Sequence, residues 1–158
     1  WEYDITELGF KYNMTDVSAS FALWQWKFLK KWQSLRRNIV NRYSNGLKDV
    51  EGIILPSINQ THSMHLYVIK LNLELWQISR NDFIEKLNKR GIGLAVHYKP
   101  IHQLTYYKRM YKLKNNDYPR ANELFNSIVS LPIYPLLRHE EVDYIIDNIK
   151  KLFVKYSV

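Results

Sequence analysis

Between residues 16 and 45, apolar side chains recur at steps of three and four, with Val17, Phe21, Trp24, Phe28, Trp32, Leu35, Ile39 and Tyr43 on one stripe. This spacing predicts a long amphipathic helix. Thr15 is its predicted N-cap, Asp16 suits the positive helix end, and Gly46 is its predicted stop. About 30 residues at 1.5 Å each give roughly 45 Å, more than a small domain needs. A helix of that length is expected to connect two parts of a protein.

Downstream the pattern shortens. Residues 66–71 (Leu-Tyr-Val-Ile-Lys-Leu) read as a strand. Ser79-Arg80-Asn81-Asp82 has the form of a capping box, opening a helix with Phe83, Ile84 and Leu87 inward and a stop at Gly91. Residues 94–97 read as a second strand. Pro119 opens another helix, with Leu124, Phe125 and Ile128 inward. Ser130-Leu131-Pro132 is a short extended piece. Residues 139–153 form a last helix that buries Val142, Ile145, Ile146, Ile149 and Phe153. This order predicts an α+β fold, a long helix followed by a small mixed sheet with helices packed on one face.

Composition narrows the class. With 46% apolar and 15% aromatic residues, the 158-residue chain can bury a globular core. Its twelve tyrosines and five tryptophans suit domain and subunit interfaces, where a ring buries its body and keeps a polar edge. The absence of cysteine excludes disulfides and thiolate metal sites. No apolar run reaches the roughly 18 residues of a membrane span. Trp1-Glu2-Tyr3-Asp4 lacks the basic start and apolar stretch of a signal peptide. A soluble, cytoplasmic protein is the expectation. The net charge of +8 fits an anionic ligand, from nucleic acid to a phosphorylated small molecule, and equally a solubilising surface.

Three segments carry polar and aromatic groups that periodicity does not require. In Gly9-Phe10-Lys11-Tyr12-Asn13-Met14-Thr15-Asp16, a glycine, an amide and a helix N-terminus can form a phosphate site. The simpler reading is that Asn13 and Thr15 only cap the helix. In residues 91–102, His97, Tyr98 and His102 follow a strand end, a place where binding groups are displayed. The two histidines lack a third ligand or a zinc signature, so no metal is expected, and a structural hydrogen bond is the default for either alone. Leu131-Pro132-Ile133-Tyr134-Pro135 reads as a rigid structural turn.

Together these segments resemble one family. The order Trp1-Glu2-Tyr3, Gly9 to Asp16, His65-Leu66-Tyr67-Val68-Ile69, Arg90-Gly91-Ile92-Gly93, Val96-His97-Tyr98, Tyr106-Tyr107 and Ser130-Leu131-Pro132-Ile133-Tyr134-Pro135 is similar to the DegT/DnrJ/EryC1/StrS nucleotide-sugar aminotransferases. The resemblance covers nearly the whole chain. It implies the small domain of a fold-type-I aminotransferase that uses pyridoxal phosphate. It also implies three parts: residues 1–16 closing a large domain with a phosphate-binding loop, 17–48 as a linking helix, and 49–158 as the small domain.

Further implications concern single residues. The loop of Asn13 would reach across a homodimer to the cofactor phosphate of the neighbouring subunit. His97 and Tyr98 would lie beside a nucleotide-linked keto sugar, with His102 nearby and glutamate as amino donor. Neither nucleic acid nor membrane would be a partner. Ser18-Ala19-Ser20-Phe21 and the bulky Trp24 and Trp26 depart from the family's usual helix, which touches packing rather than the phosphate loop. No lysine here stands in the family motif for the Schiff-base lysine, so no catalytic residue is assigned and that lysine is expected upstream. The chain is thus expected to be the carboxy-terminal portion of such an enzyme, inactive alone.

A different class of function has its own signal. Seven basic residues and no acidic one lie between Val17 and Lys48, interleaved with Trp24, Trp26, Phe28 and Trp32. A basic amphipathic helix of this kind also suits a module that binds nucleic acid, a membrane surface or a partner groove.

Overall fold

The computed structural model describes Glu2 and residues 4–158; Trp1 and Tyr3 of the amino-terminal motif lie outside the described residues. Helix α1 spans Asp16–Leu47. Thr15 caps it as predicted, its Oγ1 accepting from the Ser18 N–H at 3.3 Å. Gly46 does not stop it. The helix runs past this residue to a cap at Lys48 in right-handed conformation. The glycine serves packing instead, because a Cβ there would lie 2.6 Å from Ile146 Cδ1 on helix α5, His139–Tyr156. Close approach of two helices, rather than a left-handed turn, requires its missing side chain.

Among the described residues, three strands form the sheet: β1 (Ile53–Ile54), β2 (Tyr67–Leu71) and β3 (Ile128–Leu131), in the order β1-β2-β3. Both pairings are antiparallel, with Ile53 opposite Leu71 and Tyr67 opposite Leu131, so the sheet is antiparallel rather than mixed. The strand expected at 94–97 shrinks to a single bridge between Ala95 and Ser130.

Alternation along β2 decides where the core lies. Tyr67, Ile69 and Leu71 are buried and share one core with Tyr43 and Leu47 of α1, and with Ile149 and Leu152 of α5. Helix α2 (Arg80–Asn88) contributes Phe83 and Leu87. Its capping box forms as predicted, with Ser79 N–H donating to Asp82 Oδ2 and Asp82 N–H to Ser79 Oγ. Gly91 takes φ +76° as the chain turns back.

Pairing Val68 with Ser130 and Lys70 with Ile128 sets these four residues on the opposite face of the sheet. Helical cover extends there too. Helix α4 (Pro119–Ser127) reaches it through Glu123, 2.7 Å from Lys70 Nζ. Leu124, expected inward, is half exposed, and Ile128 leaves the helix to start β3. Helix α3 (Thr105–Met110), which periodicity did not reveal, carries Tyr106 and Tyr107.

Only the last part of α1 enters the core. Its buried residues begin at Ile39, whereas Val17, Phe21 and Trp24 stay 53–67% exposed. Trp24, Phe28 and Trp32 cluster along that portion, Phe28 stacking on Trp32 and Trp24 tilted against both.

Candidate functional site

The edge of β3 positions the histidine segment. Ser130 and Ala95 exchange both backbone hydrogen bonds, at 2.8 and 3.3 Å, which draws residues 95–98 against the strand. His97 then turns its Nδ1 to Ser130 Oγ at 2.8 Å. Tyr98 stands edge-on to the His97 ring at 83°, with centroids 4.7 Å apart, and is 74% exposed. His97 and Tyr98 therefore sit together, one half-buried and one open to solvent.

His102 has a different environment. It is 5% exposed in the turn Ile101–Gln103 and stacks on Tyr118 at 4.5 Å. Its Nε2 lies 2.7 Å from Asn122 Oδ1, which also accepts from Gln103 Nε2. Asn122 Nδ2 donates to the Asn115 carbonyl at 2.7 Å and so fixes the amide's orientation. Both amide ends are engaged, so the histidine ties the segment to α4 from within.

Asn13 is exposed in the stretch before α1 and makes no hydrogen bond among the described residues. The structure thus joins His97 to Tyr98, buries His102 separately, and leaves Asn13 at the far end of α1. Among the described residues, no three His, Asp or Glu side chains gather as a metal would require.

Beneath the site, Tyr43 OH donates to the Pro132 carbonyl at 3.0 Å, and Tyr67 OH pairs with Ser44 Oγ at 2.9 Å. Burial pushes both phenols above their ordinary pKa, so they act as neutral hydrogen-bonding struts. Two clefts lie elsewhere. One of about 600 Å³ opens beside Gly93, Tyr134 and Arg138, and one of about 730 Å³ lies between α1 and α5 around Asn41 and Asp147.

The basic helix is partly neutralised. Arg42 forks onto Asp143, and Arg37 donates to the Gln60 carbonyl, while Lys27, Lys30 and Lys31 stay exposed. No helix among the described residues is long and apolar enough to cross a membrane.

The sequence model of the DegT/DnrJ/EryC1/StrS aminotransferase family matches residues 1–150. The chain belongs to this family. DegT/DnrJ/EryC1/StrS aminotransferases use pyridoxal phosphate. Spr1654 of Streptococcus pneumoniae, described as a sugar aminotransferase and solved in apo, PMP and PLP forms, is 36% identical. Its PLP form superimposes with a TM-score of 0.87 over 98% of this chain and 40% of its own. PseC of Helicobacter pylori, an aminotransferase involved in the biosynthesis of pseudoaminic acid, is 25% identical, with a TM-score of 0.86 over 98% of this chain and 41% of its own. The spore coat polysaccharide biosynthesis protein SpsC of Bacillus subtilis is 31% identical over 96% of this chain and 40% of its own. The chain thus spans about 40% of the length of the curated relatives it matches.

Ser130 and Asn122 were missed at the level of sequence. Ser130 had a legible signal, a lone hydroxyl in the apolar run Ile128-Val129-Ser130-Leu131. A polar side chain buried in such a run needs a partner. Asn122, on a short surface helix, had none.

Proposed function

We propose that this chain is the carboxy-terminal part of a pyridoxal-phosphate-dependent aminotransferase. The complete enzyme moves an amino group from glutamate onto a keto sugar carried by a nucleotide, for amino-sugar and surface polysaccharide biosynthesis. It acts as a homodimer with shared sites. The family match over residues 1–150 carries this reading, and the sugar-related descriptions of Spr1654, PseC and SpsC support it. On the same reading, residues 1–16 close the large domain, 17–48 link, and 49–158 form the small domain.

The residues present fit one end of the cofactor. The Asn13 amide has no hydrogen-bond partner among the described residues, while the neighbouring Thr15 Oγ1 accepts from the Ser18 N–H. Asp16 places a negative charge at the helix start, so the Asn13 amide rather than the helix end would be the donor to a phosphate oxygen. Bound pyridoxal phosphate supplies an electron sink for moving the amino group.

This chain's own residues bind and orient. His97 Nε2, without a hydrogen-bond partner among the described residues, and the exposed Tyr98 ring face the sugar substrate. His102 acts from behind, holding their segment to α4 through Asn122. No lysine here stands in the family's lysine motif, so the 158 residues alone are expected to be inactive.

The test uses the complete enzyme with pyridoxal phosphate, glutamate and a panel of nucleotide-linked keto sugars, followed by mass spectrometry. Aminated nucleotide sugar with matching 2-oxoglutarate is expected. Amination of free keto acids alone, with no nucleotide sugar consumed, would overturn the reading.

A further inference from the structure

We propose that Ser130 selects the tautomer of His97, so that the neutral ring presents Nε2–H as a hydrogen-bond donor to an oxygen acceptor of the substrate. The placing of His97 beside substrate rests on the function proposed above; the tautomer does not.

Ser130 is 4% exposed. Its backbone N–H and C=O are both engaged with Ala95. Among the described residues, the only hydrogen-bond partner of its Oγ is His97 Nδ1, at 2.8 Å. A hydroxyl carries one donor and can leave an acceptor lone pair idle at little cost, whereas a buried O–H with nothing to point at loses its hydration uncompensated. Were the proton on Nδ1, the ring would donate to Oγ and strand the serine hydrogen. With Nδ1 bare, Ser130 donates to it and the buried hydroxyl is satisfied. The ring proton then sits on Nε2.

Two further contacts keep the ring in this setting. The antiparallel bridge at Ala95 fixes the backbone two residues before His97, and the edge-on Tyr98 ring packs against the imidazole. What the ring then offers at Nε2 is a hydrogen-bond donor. That suits a carbonyl, hydroxyl or phosphoryl oxygen of a nucleotide sugar and makes neutral His97 a poor proton acceptor at Nε2.

The complete enzyme, labelled with ¹⁵N-histidine and assigned with a His97→Gln variant, reports the tautomer by long-range proton–nitrogen correlation. In the neutral ring, native protein and Ser130→Thr should both show the Nε2–H pattern. Ser130→Ala should shift to mixed or Nδ1–H signals and raise KM for the nucleotide sugar about three- to tenfold, with kcat and KM for glutamate little changed. If Ser130→Ala does not fold, the near-isosteric Ser130→Cys, a weaker donor, must show the same shift. An Nδ1–H pattern in native protein, or no change on removing the hydroxyl, overturns the inference. A changed tautomer with unaltered sugar KM upholds the role of Ser130 and overturns the substrate-side placing of His97.

Discussion

A methyl group on Gly46 would lie 2.6 Å from Cδ1 of Ile146 and 3.0 Å from its Cγ2, so α1 and α5 meet where one side chain is missing. Ile146 is buried, so the far end of its side chain must shift within packed surroundings to make room. Replacing Gly46 by Ala gains about 1 kcal/mol of helix propensity against roughly 1–3 kcal/mol of overpacking. A net loss of about 1 kcal/mol is expected in urea denaturation. Ile146→Val, which deletes the clashing Cδ1, should recover part of it in the double variant. Gly52→Ala should cost more than Gly46→Ala. Its Cβ would meet two rigid rings, 2.4 Å from Phe153 Cε2 and 2.5 Å from Trp76 Nε1, where Trp76 already donates to the Gly52 carbonyl. Strict additivity of Gly46→Ala with Ile146→Val would refute the contact argument.

Acid should weaken the fold through a few exposed carboxylates. The Arg42 fork holds Asp143 below the usual carboxylate range, and Ser79 does the same for Asp82 through its hydroxyl and backbone N–H. A group with a depressed folded-state pKa contributes stability above its unfolded value and loses it as pH falls through the folded value. Stability should therefore hold from neutrality to about pH 5 and decline below about pH 4. Asp143→Asn should flatten part of that decline in thermal melts across a pH series, and added salt should shrink the difference between variants. An unchanged acid slope in the variant would deny the pair this role.

Asn13→Ala in the complete enzyme removes one hydrogen bond to a charged phosphate, worth about 1.5–3 kcal/mol. Cofactor affinity should fall roughly ten- to hundredfold, read by titration with pyridoxal phosphate. Because this loop is proposed to serve the neighbouring subunit, mixing the variant with one lacking the Schiff-base lysine should restore activity. Each mixed dimer then holds one intact site and one doubly defective site. Unchanged affinity removes the phosphate role. Lost affinity without complementation places Asn13 in its own subunit's site.

Periodicity made α1, β2, α2 and α5 legible, since each carries a regular apolar stripe or alternation, buried in α1 only from Ile39, and the caps at Thr15 and Ser79 are local chemistry. What failed was long-range. Gly46 looked like a stop because a glycine's packing use depends on Ile146, 100 residues away in sequence. β1 is two residues long and too short for any pattern, and residues 94–97 are apolar enough for a strand yet find only one bridging partner. Within the site, His97 and Tyr98 stood out by type and position. The burial of His102 was hidden, because it depends on Asn122 and Tyr118 folding back over it. Ser130 was legible as a lone hydroxyl in an apolar run, but its partner was not, because His97 lies 33 residues away in sequence.

The uneven anchoring of α1 turns the helix into a lever arm. Its buried residues begin at Ile39, with Arg37 tied to the Gln60 carbonyl just before them, while Asn13 precedes its other end. At 1.5 Å per residue, the span from Ile39 back to Asp16 is about 35 Å. A tilt of about 5° at the grip therefore displaces the tip by roughly 3 Å, the length of a hydrogen bond. Packing at the α1–α5 crossing therefore bears on where the Asn13 amide lies, alongside the large domain that residues 1–16 are proposed to close, and a substitution at Gly46 or Ile146 acts on that amide while touching nothing near it.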